Sequence, residues 1–258
     1  MPSVELGSFT ASLAILYEKG VRYSTVIDLG CADGHFFLQH ADMGFFRDAV
    51  CVNIDANPIY EESLRRIQAV MGGHWLITAV GDREGEIEIF ESGHPYWNST
   101  RAPDDAYWDR VAHKPSGTRT APLTSLDAIG RRLALQPPYL IKLDIQGGEV
   151  AALRGAAAIL EQTDVVICEA DLDDFQAINA ELVGRGFDIF DLTGMNRIVA
   201  DHSLGWFYPV YTHRRLDRLR ERHLWRPVDT ASLAKAQDQR RAAIIAETER
   251  VLARQPRK

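Results

Sequence analysis

Cysteine is scarce in this chain: of 258 residues, only Cys31, Cys51 and Cys168 carry a thiol. The number is odd and the spacing wide, which excludes both a disulfide framework and a cysteine-built metal knot. A reducing compartment fits such usage, so the expected location is the cytoplasm. Long apolar runs are missing as well. No stretch approaches the length of a membrane span, and no basic patch followed by an apolar segment opens the chain, so a soluble, non-secreted protein is expected. An excess of positive charge is also missing. A net charge of -7 argues against a general nucleic-acid binder. Internal repeats and low-complexity tracts do not occur. What remains, 46% hydrophobic and 25% charged residues, is the make-up of a globular enzyme with room for one large α/β domain.

The chain is organised around the stretch from Tyr23 to Asp55. A short apolar run, Val26-Ile27, ends in Asp28 and turns through Gly30 and Gly34 into a segment that can be helical. A parallel strand hands over to a helix in this way in a doubly wound fold, with glycines letting the backbone lie close to a ligand. A second apolar run, Val50 to Ile54, ends in Asp55, where a carboxylate can accept hydrogen bonds from both hydroxyls of a ribose. A nucleoside-containing cofactor is therefore expected. The turn reads Asp28-Leu29-Gly30-Cys31-Ala32-Asp33-Gly34, with acids where a pyrophosphate would be repelled. A ligand bearing ammonium and sulfonium charge suits it better, which favours S-adenosylmethionine over NAD.

Further along, Phe9, Leu13, Leu16 and Tyr17 predict a covering helix between Ser8 and Gly20. Asn57-Pro58 starts a helix over Ile59 to about Val70, and Trp75 to Val80 is a third apolar run ending at Gly81-Asp82. Gly85 to Phe90 alternates as a half-exposed strand does. From Glu91 to about Thr120 no period is sustained, and His94, Tyr96, Trp97, Tyr107, Trp108 and His113 are scattered among polar residues. A connection of that length is expected to be a substrate loop or lid. Leu123 to Leu133 and Val150 to Leu160 read as helices, Tyr139 to Ile145 and Asp164 to Cys168 as buried strands. Phe175 to Val183 reads as a helix. Phe187 to Leu192 and Trp206 to Tyr211 should form a terminal antiparallel hairpin. The expected architecture is thus α/β, a Rossmann-like doubly wound and mostly parallel sheet. The domain is expected to span 1–212, followed by a helical extension over 213–258. Six arginines between His213 and Arg226 are read as a solvated helix face. The tail's apolar stripe of Ile244, Ile245, Val251 and Leu252 is read as packing on the domain or on a partner chain, as in a homodimer.

The strands end at Asp28, Asp55, near Asp82, at Asp144 and at Glu169, and acids gathered along one sheet edge point to a cleft. Together with the motifs around them, these residues carry a resemblance. Val26-Ile27-Asp28-Leu29-Gly30 with Gly34, Asp55-Ala56-Asn57-Pro58, Leu123-Thr124-Ser125-Leu126-Asp127 and Lys142-Leu143-Asp144-Ile145-Gln146-Gly147-Gly148-Glu149 resemble the FkbM-type methyltransferases over roughly Thr25 to Glu169. Gln146 stands where that family usually has Glu, and Ala32 replaces the middle glycine of the general methyltransferase turn. The resemblance implies the class I methyltransferase fold and S-adenosylmethionine-dependent O-methylation of a sugar or polyketide-type hydroxyl.

On this reading Asp55 and the neighbouring Ala56 hold the ribose. Asp28, Gly30, Cys31 and Gly34 belong to the methionine end, and Asp82 lies near the adenine. Asp144 is the first candidate for base or acceptor binding and Glu169 the second. Lys142, two residues before Asp144 on the same strand face, pairs with it and holds it ionised, or forms a purely structural pair. Asp144 with Glu169 could instead hold a divalent metal, and His94 or His113 could serve as base. Two other readings remain open: a nicotinamide-dependent oxidoreductase, and a cofactor-binding scaffold whose methylation site has decayed, the latter prompted by Gln146.

Overall fold

The computed structural model describes residues 6–103, 108–109, 114–199, 201–219 and 230–254. Two compact units are present, Met1–Asp217 and Arg218–Lys258. In chain order the first holds α1 (Phe9–Glu18), β1 (Thr25–Leu29), α2 (His35–His40), β2 (Val50–Asp55), α3 (Glu61–Met71), β3 (His74–Ile77), β4 (Ala79–Val80), β5 (Gly85–Glu91), β6 (Gly117–Thr124) and α4 (Leu126–Leu133). It continues with β7 (Tyr139–Leu143), α5 (Glu149–Arg154), α6 (Ala157–Leu160), β8 (Thr163–Cys168), β9 (Ala170–Asp171), α7 (Phe175–Gly184), β10 (Phe187–Thr193) and β11 (Trp206–His213). The second unit contains α8 (Thr230–Arg254), on which Ile244 and Ile245 are exposed. Among the described residues no helix is long and apolar enough to cross a membrane.

The main sheet runs β10-β11-β8-β7-β1-β2-β3, with β9 added beside β11. Strands β3, β2, β1, β7 and β8 are parallel, while β11 is antiparallel to both β8 and β10. The expected mostly parallel sheet and terminal hairpin are therefore both present. Every residue of β1, β7 and β8 is buried, as near-continuous apolar strands covered on both faces require. Strand order reverses between β1 and β7, which opens a crevice at their carboxyl ends.

Four local expectations are corrected. The run from Trp75 to Val80 is split at Thr78, and β4 leaves the main sheet to join β6 and β5 in a second, three-stranded sheet. Part of the expected lid is thus strand: β6 pairs antiparallel with the whole of Gly85–Glu91 through its residues Gly117 to Leu123. The following helix starts at Leu126 rather than Leu123 because the Ser125 hydroxyl accepts the Ala128 N–H, a cap worth about 1 kcal/mol. The helix expected over Val150 to Leu160 breaks at Gly155, where a Cβ would lie 1.9 Å from the Gly81 carbonyl oxygen. In the arginine-rich segment, Arg214 pairs with Asp188 at 3.0 Å and Arg215 with Asp164 at 2.7 Å. Both arginines hold these partners while remaining exposed to solvent; residues 220–226 lie outside the described residues.

Candidate active site

A cleft of about 260 Å³ opens over the carboxyl ends of β1, β2, β7 and β8. Its floor depends on the turn after β1. Gly30 has φ +72°, and a Cβ there would sit 1.8 Å from the Asp144 carbonyl oxygen, so β1 and β7 can leave the sheet this close together only with glycine at that place. Gly34, at φ +82°, packs the start of α2 against Ile67 of α3. Gly30 lines the cleft; Gly34 and the buried Cys31, whose thiol burial pushes far up, do not.

Asp28 is placed differently from the expectation. It stands inside β1, opposite Lys142 of β7, and its fully buried carboxylate accepts from the Lys142 ammonium at 3.0 Å. Its side chain pairs within the sheet and is not among the residues that line the cleft. Lys142 accordingly has two partners, with Asp144 the more distant at 3.6 Å. Burial opposes the lysine's charge, and the carboxylates of Asp28 and Asp144 outweigh that and hold its pKa above the ordinary value. Burial raises the Asp28 pKa, partly offset by Lys142.

At the end of β2, the Asp55 carboxylate accepts the Ala32 N–H at 2.9 Å on one oxygen and the Asn57 N–H at 2.7 Å on the other. Both loops are thereby tied to one carboxylate on the cleft wall, each oxygen keeping a further lone-pair direction. Burial pushes its pKa up, while the two backbone donors pull it down. Beside it, the Ala56 carbonyl is held by Arg119 of β6 at 2.7 Å, and Tyr60, Thr78 and Val80 continue the wall. Asp82 is not there: the chain has already turned into the second sheet, and the residue is exposed beside Arg83. Asp82, expected near an adenine, is therefore not among the residues that line this cleft.

The opposite end is acidic. Asp144 and Glu169, each one residue past its strand, are bridged twice. The Gln146 amide donates to Asp144 at 3.0 Å and to Glu169 at 2.5 Å, and the Tyr208 hydroxyl of β11 lies 3.1 Å and 3.2 Å from the same two groups. Burial works against the charge of Asp144, but Lys142 and the hydrogen bonds outweigh it, and its pKa is lowered. Glu169, penalised by burial and by the Asp144 charge, is raised well above its usual range. Among the described residues no three His, Cys, Asp or Glu side chains are grouped to hold a metal ion. The space a cation would need between the two carboxyls is crossed by hydrogen-bond donors, so the divalent-metal expectation is not supported.

The roof comes from the connection between β5 and β6. Residues 95–100 line the cleft, with Tyr96 donating to Asp33 at 3.2 Å and Ser99 donating to the Gln146 carbonyl oxygen. Arg101 then pairs with Asp174 and with Asp171, the latter at 3.6 Å, fastening the loop beyond β8. Trp108 is a buried pin whose indole N–H donates to the Arg101 and Ala102 carbonyls at 3.2 Å and 2.9 Å. His94 stacks on Tyr96 with ring centroids 5.3 Å apart and is absent from the cleft wall. Tyr107 and His113 lie outside the described residues.

The structure therefore brings Gly30, Asp55, Ala56, Lys142, Asp144 and Glu169 to one cleft and leaves Asp28, Cys31, Gly34 and Asp82 off its wall. Tyr208 and Arg119, both on strands distant in sequence, were not anticipated. The alternation around Tyr208 marks a strand face but carries no sign of what that face meets.

Comparison with known proteins bears on the same residues. Residues 28–189 match the family model described as the methyltransferase FkbM domain. No curated protein matches the sequence. Among solved structures, the chain is similar to methyltransferase FkbM from Methylobacillus flagellatus KT at 15% identity and a TM-score of 0.46, covering 74% of this chain and 43% of that one. It thus spans less than half the length of that relative. A proposed tRNA methyltransferase of Streptococcus pneumoniae, solved in complex with S-adenosyl-L-methionine, is similar at 10% identity and a TM-score of 0.43, covering 79% of this chain and 72% of that one.

Proposed function

The chain belongs to the FkbM methyltransferase family, and on that basis we propose that it transfers the methyl group of S-adenosylmethionine to a hydroxyl of a small acceptor, a sugar or polyketide-type compound. The observation that carries the reading is the Asp55 carboxylate, fixed from two sides by backbone N–H groups on the wall of a cleft roofed by aromatic residues. Its remaining lone pairs suit a ribose diol. The cleft also fits a cationic cofactor better than a pyrophosphate. The carboxylates of Asp55 and Asp144 line it, its lysine is already engaged by the buried Asp28, and its arginine, Arg119, by Glu91 and the Ala56 carbonyl. Gly30 and the Ala32 turn take the methionine end, and Tyr60, Thr78 and Val80 take the place expected of Asp82 around the base.

Bound there, S-adenosylmethionine would supply an electrophilic methyl group on sulfur. The protein's own work is to hold an acceptor oxygen in line, exclude water under residues 95–100, and take the hydroxyl proton on Asp144. Gln146 favours an intact site over a decayed one. A glutamate there would put a third carboxylate against Asp144 and Glu169, whereas the amide donates to both.

Calorimetric titration with S-adenosylmethionine, its demethylated product and NAD tests the reading. Both sulfur nucleotides should bind and NAD should not; failure of both to bind removes the cofactor assignment. Asp55→Ala should weaken S-adenosylmethionine binding by about 10- to 100-fold, the loss expected for hydrogen bonds to a charged acceptor. An unchanged affinity in that variant would take Asp55 out of the ribose role.

A further inference from the structure

Between the ends of β7 and β8 the hydrogen atoms can be counted. Gln146 Nε2 carries two, and its two contacts use them, one to Asp144 Oδ1 and one to Glu169 Oε2. Tyr208 carries one. Its hydroxyl oxygen nevertheless stands 3.1 Å from Asp144 Oδ2 and 3.2 Å from Glu169 Oε1. A single O–H hydrogen cannot be donated to both, so the second contact is a hydrogen bond only when one carboxyl carries a proton and donates it to the phenol oxygen. The surroundings say which one. Lys142 Nζ stands 3.6 Å from Asp144 Oδ2, while no ion pair reaches Glu169 among the described residues.

We propose that Asp144 and Glu169 share one proton, resident on Glu169, and that Tyr208 links them as a relay from Glu169 O–H through the phenol O–H to the Asp144 carboxylate. Two ionised carboxyls this close would repel each other, and one proton between them removes the conflict. The other groups facing the pair do not alter this. Asp28 is spent on Lys142, Glu149 at the start of α5 accepts the N–H groups of Ile145 and Gly147, and Cys168 is a buried neutral thiol.

The catalytic consequence rests on the methyltransferase reading; the proton itself does not. As the acceptor oxygen bonds to the methyl carbon, its proton passes to Asp144 and the C–S bonding pair stays on sulfur. The pair then holds two protons and returns one to solvent after product leaves. Glu169 and Tyr208 act through Asp144 and are positioning residues. They keep it ionised and aimed while holding the pair at one negative charge.

The test is infrared difference spectroscopy of the full chain near neutral pH, wild type against Glu169→Gln, with no cofactor added. A protonated-carboxyl C=O band should be present in the wild type and absent from the variant. In Tyr208→Phe, which keeps the ring that meets Phe9 edge-on at 5.5 Å, the band should move to higher frequency as its acceptor is lost. A difference spectrum showing only ionised carboxylate overturns the proposal. With labelled methyl donor and an accepted hydroxyl compound, Tyr208→Phe should lower kcat by about tenfold, leave KM unchanged, and move the acid limb of the pH profile to higher pH. An unchanged kcat and profile would remove the relay. Should the wild type bind no S-adenosylmethionine, the methyltransferase reading fails while the infrared band still decides the proton.

Discussion

Asparagine at position 144 is expected to cut methyl transfer by about 10²- to 10⁴-fold, the range of a positioned general base, while S-adenosylmethionine still binds. Asp144 is the ionised member of the acidic pair. Its charge is held by Lys142 at 3.6 Å and by donors from Gln146 and Tyr208. The folded-state pKa lies below the usual carboxylate range, so the basic form is present through neutral pH and is lost only as the pH falls through that lowered value. Asparagine keeps the shape but cannot accept a proton. Glu169 sets the floor: freed of its charged neighbour it can ionise and take over in part, which places the loss near the lower figure, whereas misalignment with the acceptor places it near the upper. Single-turnover transfer of labelled methyl, read beside calorimetric affinity for the cofactor, checks this. Full activity would end the catalytic assignment of Asp144, and a parallel loss of cofactor affinity would move the residue to the binding half of the cleft.

The strands, their mostly parallel arrangement and the cleft edge were legible because all are written in local pattern. Buried parallel strands show as apolar runs, and the acids at Asp55, Asp144 and Glu169 fall at the last residue of such a run or one residue past it. Residues whose meaning depends on register were not legible. Asp28 reads as a strand-end acid, yet β1 continues through Leu29, and its partner is decided by Lys142 lying opposite it on β7. No spacing in the chain encodes that pairing, because 114 residues separate the two. Asp82 fails for a related reason. The apolar run before it looks like one strand, but a second sheet captures its last two residues, an outcome decided by β6 more than thirty residues later. Gln146 was visible as a departure from its family and was readable as a loss. Its φ of +55° and its position between two carboxyls make it a bridge. A substitution that removes charge can be required by what stands around it, and the surroundings here come from β8 and β11.

Replacing Lys142 with methionine is expected to destabilise the fold by about 3–5 kcal/mol, the cost of leaving one partner of a buried pair behind. Asp28 is fully buried, its Oδ1 accepts from Lys142 Nζ, and its Oδ2 has no hydrogen-bond partner. Without the cation, burial acts on that carboxyl unopposed and its folded-state pKa, already raised, rises further. The sign of the pH dependence follows. A carboxyl with a folded pKa above its unfolded one binds more protons when folded, so the variant loses stability as pH rises between the two values and recovers it as pH falls below them. Denaturant unfolding of the variant should therefore show its smallest deficit against wild type in mild acid and its largest above neutrality. Adding Asp28→Asn to Lys142→Met removes the stranded charge and should restore much of the loss, since a pair replaced on both sides costs far less than a pair broken on one. A deficit independent of pH and unrelieved by the second substitution would mean that Lys142 supports the sheet through packing of its stem, and that the charge on Asp28 is neutralised from elsewhere.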